Sequence, residues 1–133
     1  LLMIQFEHYF PPSADLRIAY AVVNSYDAEH PFGKRDLFTH NEPMVISFAI
    51  PLVAREMYSG GGTYIKAIDK TFALDKGFLI SHASAIQHGA TAITKGHRTV
   101  LVGFCILDDK HDAWSQEFFN AISNAEIETS FGD

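Results

Sequence analysis

The chain has 133 residues, enough for one domain with a single core and little to spare. Its formal charge of -6 at pH 7 argues against a general nucleic-acid binder, which needs a basic face to neutralise phosphates, and leaves room only for a basic groove on an acidic domain. Apolar residues make up 47% and charged residues 20%, an ordinary globular balance, and no run approaches the roughly 18 apolar residues that cross a membrane.

Leu1 to Phe10 is apolar but carries Gln5, Glu7 and His8, so it does not read as a signal peptide. The chain opens without Met, its first strand pattern starts almost at once, and no Asn-x-Ser/Thr acceptor is present. The expectation is a soluble, intracellular protein that reads as a fragment, with room for a targeting segment ahead of it. Leu16 to Tyr26 is rich in β-formers and half alternating, and it ends in Asp27 and a loop with Pro31 and Gly33. Met44 to Val53 is nearly all apolar, as in a strand buried on both faces. Gly60-Gly61-Gly62 breaks the chain before a strand over Thr63 to Ile68. Phe72 to Leu74 and Phe78 to Ser81 flank a turn at Asp75-Lys76-Gly77 and read as a further pair. Ile86 to Thr94 alternates weakly, Lys95-Gly96 makes a turn, and Thr99 to Leu107 is the strongest strand pattern. Cys105, the single cysteine, lies inside that last strand, which predicts a buried thiol and excludes an intrachain disulfide.

Beyond Asp108-Asp109-Lys110 the period changes. Trp114, Phe118, Ala121, Ile122 and Ala125 fall at helical spacing, predicting an amphipathic helix over Ala113 to Ile127. There is no repeat, linker or low-complexity segment. Seven or eight short strands followed by one helix predict an all-β jelly-roll barrel with a helix packed outside it. One domain spans 1–133, its barrel core about 16–107 and its C-terminal helix about 113–127.

The residues that carry chemistry are few. His40 and Glu42 stand two apart on a strand, so their side chains share one face and can reach one metal ion. The uncharged strand that follows puts the pair at the mouth of a barrel. His82 and His88 share the segment S-H-A-S-A-I-Q-H-G, and either one alone reads as a hydrogen-bonded structural histidine. His8, His30, His97 and His111 lie beside charges, turns or prolines and read as solvated. Arg98, ten residues after His88, alone reads as a surface arginine at a strand edge. A His-x-carboxylate pair and one distant His are nevertheless the parts of a facial triad, which holds Fe(II) and leaves three positions open. A downstream guanidinium is what such a site needs to grip a dicarboxylate.

The blocks H-N-E-P-M-V-I-S-F-A-I-P-L, Y-S-G-G-G-T-Y, K-G-F-L-I-S-H-A-S-A-I-Q-H-G and I-T-K-G-H-R-T-V-L-V-G-F, in that order, resemble the core of the Fe(II)/2-oxoglutarate-dependent dioxygenases. The prolyl and lysyl hydroxylase branch is the nearest, and the resemblance covers roughly Val22 to Leu107. It implies a double-stranded β-helix, with His40, Glu42 and His88 as metal ligands. It implies Arg98 on the C5 carboxylate of 2-oxoglutarate, with Tyr26 and, more weakly, Tyr64 as cosubstrate-pocket residues. The implied requirements are Fe(II), 2-oxoglutarate and O2, with ascorbate as an accessory. The implied activity is hydroxylation of an unactivated C–H bond, of a prolyl or lysyl residue in a peptide, with no nucleic-acid or membrane partner. The chain departs from the family pattern in having Glu42 where most members have Asp, and in carrying little before its first strand. Those departures leave a second reading, a non-catalytic jelly-roll binding or scaffolding domain. Others are an oxygenase acting on a free amino acid or other small molecule, and a small cupin-like metal or sugar binder. Nothing in the sequence sets an oligomeric state.

Overall fold

The computed structural model describes residues 10, 11 and 13 to 131, so all but the end of the apolar Leu1–Phe10 segment lies outside the described residues. Seven strands form one continuous antiparallel sheet folded over on itself. In chain order they are β1 (Leu16–Asp27), β2 (Leu37–His40), β3 (Ile46–Pro51), β4 (Tyr58–Ile65), β5 (Lys70–Phe72), β6 (Ile80–Ala83) and β7 (His88–Leu107), followed by helix α1 (Asp112–Phe131). The resulting architecture is the expected jelly roll with a C-terminal helix.

The fold turns on β7. The sequence predicts two strands separated by a turn at Lys95-Gly96; the structure instead has one strand of 20 residues that bends there. Gly96 sits at φ 76°, and a Cβ on it would stand 2.2 Å from the Met57 carbonyl oxygen, so no other residue fits without displacing backbone. On one side of the bend β7 pairs with β4 and β2; on the other it pairs with β1 and β3. The halves therefore belong to two facing layers, ordered β5–β4–β7–β2 and β1–β7–β3–β6. His88 begins the first half and Arg98 begins the second, so one strand delivers both functional candidates to the space between the layers.

The triple glycine is likewise not a break. It lies inside β4, which starts at Tyr58, and the predicted continuation through Ile68 is a short 3-10 turn, Lys66–Ile68. Gly61 has φ 73°, and a Cβ there would meet Ile93 at 2.7 Å and the Arg98 side chain at 3.3 Å. The absent side chain leaves the space Arg98 occupies. The expected pair Phe72–Leu74 and Phe78–Ser81 appears as β5 and β6, but they do not pair with each other; β5 joins β4 and β6 joins β3.

Alternation decides what each face covers. On the outer face of the second layer Val45, Ile46, Phe48, Cys105 and Leu107 form a buried cluster, closed by Trp114 and Phe118 of α1 and by Phe10. The two helix rings stack at 5.0 Å, and Phe10 meets Trp114 edge-on at 5.4 Å. Cys105 is buried as expected, which pushes its thiol pKa up. A second cluster of Tyr26, Tyr58 and Ile93 lies between the layers, next to the bend. Among the described residues β1 pairs along one edge only and is mostly exposed, Ile18, Tyr20 and Val23 included. Among the described residues no helix is long and apolar enough to cross a membrane.

Candidate metal centre

His40 ends β2 and His88 starts β7, and the two are cross-strand partners, which brings their rings to 4.6 Å. Glu42 follows β2 in a segment pinned to the Ser84–Ala85 turn. Its backbone N–H donates to the Ser84 carbonyl at 2.9 Å, and the Asn41 amide reaches the Ala85 carbonyl. The Glu42 carboxylate then meets both rings, with Oε1 2.9 Å from His40 Nε2 and Oε2 3.3 Å from His88 Nε2. The additional methylene of a glutamate is thus accommodated by this backbone. One ligand atom from each of the three residues lies within 4.8 Å of the others.

The far side of each ring is held. His40 Nδ1 donates to the Phe38 carbonyl at 2.8 Å and His88 Nδ1 to the Ile86 carbonyl at 2.7 Å. With Nδ1 committed to a carbonyl, Nε2 is the nitrogen turned to the carboxylate: it donates to Glu42 while it carries a proton and offers its lone pair when it does not, the tautomer a metal ligand needs. Glu42 is steadied in turn. Ser47 Oγ donates to its Oε2 at 2.8 Å, and Ser84 Oγ lies 2.7 Å from Ser47 Oγ. A carboxylate only accepts, so the Ser47 proton goes to Glu42 and Ser84 supplies the next one. Both serines are fully buried.

Without a metal the cluster compensates itself. Burial pushes the Glu42 carboxyl up, but hydrogen bonds from His88, Ser47 and His40 outweigh it and hold the pKa below the ordinary value. Burial pushes His88 down, and the Glu42 carboxylate together with the Ile86 carbonyl more than reverses this, leaving it raised. Two such imidazoles and one carboxylate are a donor set suited to a divalent first-row cation.

Arg98 is 4% exposed and is the cross-strand partner of Tyr26, with its guanidinium over the Tyr26 ring at 5.3 Å. It makes no ion pair with any described residue, and its Nε is buried without a hydrogen-bond partner. A buried cation left in this state is costly unless an anion joins it. Tyr26 is 3% exposed; burial raises its hydroxyl pKa and Arg98 pulls the other way. Arg98, Tyr26, His40, Glu42 and His88 all line one cavity of about 100 Å³.

Tyr64 is not part of this site. It lies on β4 next to Thr63, which faces the cavity, so its own side chain takes the opposite face and donates to Asp69 at 2.9 Å. Among the other histidines, His97 meets Asp27 at the surface, His111 pairs with Asp108 and with Ser13, and His30 caps a local turn. His8 is outside the described residues. Two contributors do not stand out in the sequence. Ser47 is a lone hydroxyl in a strand buried on both faces, which obliges it to find a partner, and that signal is present in I-S-F-A. His82 lines the cavity with its ring 4.1 Å from that of His88; burial and the neighbouring His88 push its pKa down to about 4.

The fold is similar to that of an oxidoreductase of the 2OG-Fe(II) oxygenase family from Burkholderia pseudomallei, with a TM-score of 0.60 and 21% sequence identity. The likeness covers 76% of this chain and 50% of that one, so the chain spans half the length of the oxygenase it matches. At this identity it establishes a shared fold. An RmlC-like cupin protein from Desulfovibrio desulfuricans is more distant, at a TM-score of 0.42 and 14% identity over 67% of this chain and 80% of that one. No family profile matches the sequence, and no curated protein matches it.

Proposed function

We propose that the chain is the catalytic core of an Fe(II)- and 2-oxoglutarate-dependent oxygenase that hydroxylates an unactivated C–H bond. The observation that carries this reading is the buried Arg98, with no anionic partner among the described residues, in the same small cavity as the His40, Glu42 and His88 donor set. One end of the cavity has what a divalent cation requires, and the other has what a carboxylate requires.

The residues fit the group. His40 Nε2, His88 Nε2 and one Glu42 oxygen would hold the iron, and the carbonyls of Phe38 and Ile86 fix both tautomers for it. Ser47 would keep the second Glu42 oxygen occupied, so that the carboxylate offers one oxygen to the metal. Arg98 would receive the far carboxylate of 2-oxoglutarate through its planar fork of donors, with Tyr26 beneath the guanidinium. The chemistry supplied by bound iron is the coupling of 2-oxoglutarate, O2 and R–H to succinate, CO2 and R–OH; the protein supplies orientation and a dry pocket. The substrate is proposed to be a prolyl or lysyl side chain in a peptide, or a small molecule of that size, with ascorbate as an accessory reductant.

Succinate formation from 2-oxoglutarate with Fe(II) tests the reading. Arg98→Ala is expected to abolish it while leaving Mn(II) affinity nearly unchanged, because Arg98 touches the cosubstrate end alone. Normal 2-oxoglutarate turnover in Arg98→Ala would overturn the assignment.

A further inference from the structure

His82 has no part in the chemistry above, yet it faces the same cavity. It lies on β6, where its cross-strand partner is Ser47, the serine that holds Glu42. Ser47 pairs in turn with Phe104 of β7, and Phe104 with Tyr20 of β1. His82, Ser47, Phe104 and Tyr20 therefore form one row across the inner face of the layer, at the level of the metal ligands. Arg98 stands six residues from Phe104 along β7, about 20 Å of strand at ~3.3 Å per residue. A small acid held by Arg98 reaches from that end towards the metal, so the row contacts whatever enters from the other side.

The ring of His82 is fixed and one of its nitrogens is committed. Nδ1 donates to the Ala83 carbonyl at 2.8 Å, while the ring packs on His88 at 4.1 Å. Nε2 makes no hydrogen bond with any described residue. In the neutral ring it carries the lone pair. The arrangement repeats that of His40 and His88, each with Nδ1 on a backbone carbonyl. However, His82 does not join the group whose ligand atoms lie within 4.8 Å of one another. It offers an acceptor to the cavity beside the metal rather than a ligand to the metal.

We propose that His82 is a substrate-binding residue of this site, and that the substrate brings an N–H or O–H donor to its Nε2. A lysyl side chain supplies such a donor through its ammonium; a prolyl ring, acylated on nitrogen, has none. This rests on the oxygenase reading and narrows it: of the two side chains proposed above, the geometry selects the amine. Tyr20, stacked on Phe104 at 4.7 Å and half exposed at the other end of the row, gives the apolar part of such a substrate a surface to lie on.

The test uses wild type, His82→Phe and His82→Gln with Fe(II) and 2-oxoglutarate. The probes are N-acetyl-lysine N-methylamide and N-acetyl-proline N-methylamide. The lysyl probe is expected to stimulate wild-type succinate formation and the prolyl probe to do less. His82→Phe keeps a ring of similar shape without the acceptor. It should raise the KM for the lysyl probe roughly tenfold or more, with Mn(II) affinity within about twofold of wild type. His82→Gln, whose amide oxygen accepts, should recover most of the loss. Four results overturn the proposal: an unchanged probe KM in His82→Phe, equal loss in both variants, loss of Mn(II) affinity in step with probe affinity, or no advantage of the lysyl probe in wild type. Succinate formed by wild type without any probe reports on the oxygenase reading separately, so the two can fail independently.

Discussion

The two ends of the cavity are built on opposite principles. At the metal end, Glu42 is surrounded by donors, and the histidines and carboxylate satisfy one another when nothing is bound. At the other end Arg98 is buried with Tyr26, its ring and hydroxyl, beside it, and no carboxylate of a described residue pairs with it. Under the proposed function both ends take a ligand, but only the second needs one to balance its charge. The difference separates a cluster whose charges balance one another from a buried cation that lacks a counter-charge among the described residues, and each can be disturbed without the other.

Replacing Arg98 gives the largest expected effect and the sharpest test of that contrast. Arg98→Met should remove 2-oxoglutarate binding, a loss of about 2 to 5 kcal/mol for truncating a buried charge partner. It should also stabilise the ligand-free protein by about 1 to 4 kcal/mol, since an uncompensated charge is exchanged for an apolar chain. Calorimetric titration and thermal unfolding of the same sample check both signs. A Tm that falls instead would mean that Arg98 already has its counter-charge.

Ser47→Ala probes the other end. It removes the hydrogen bond to Glu42 Oε2 and leaves Ser84 without its acceptor, so Mn(II) affinity should fall about 10- to 100-fold, with 2-oxoglutarate affinity following only through the metal. An Mn(II) affinity equal to that of wild type would show that Glu42 is held without the serine.

pH acts on the self-compensated end next. Glu42 has a lowered pKa, so its share of stability is present above its ordinary value of 4.5 and fades as the pH falls through the lower folded value. His88 has a raised pKa, so its share is full below its ordinary value of 6.5 and fades as the pH rises through the higher folded value. The metal-free protein should therefore gain most from this pair between about pH 4.5 and 6.5. Mn(II) affinity should rise with pH over the upper edge of that window, as the ligand loses its competing proton. Denaturant unfolding with and without Mn(II) across pH 4 to 8 measures both, and parallel curves would argue against the pairing.

The smallest effect belongs to Tyr64→Phe. Its hydroxyl bonds Asp69 on the far face, so stability should move within about 0.5 kcal/mol and the KM for 2-oxoglutarate not at all.

What the sequence makes legible follows from how local each signal is. The order of His40, Glu42, His88 and Arg98 on a jelly-roll pattern is readable because each stands beside a local change of composition: the end of β2, the start of β7 or its bend at Gly96. The glycines mislead for the same reason. Gly60 to Gly62 and Gly96 announce departures from ordinary backbone, but whether a strand stops or bends there depends on partners elsewhere in the chain. Nearness to those glycines suggests Tyr64 as a pocket residue, whereas the alternation of β4 points it away. Read singly, His82 and His88 are equals in the sequence, and only the resemblance picks out His88. The register of β7 against β2 sets His88 beside His40, and that of β6 against β3 sets His82 beside Ser47.

The most direct measurement of the central claim is a crystal structure with Mn(II) and N-oxalylglycine, the unreactive analogue of 2-oxoglutarate. The predicted result is one anomalous peak bonded to His40 Nε2, His88 Nε2 and Glu42, with the far carboxylate of the analogue on Arg98. A metal bound without Glu42, or an analogue seated elsewhere while Arg98 stays unpaired, would contradict it.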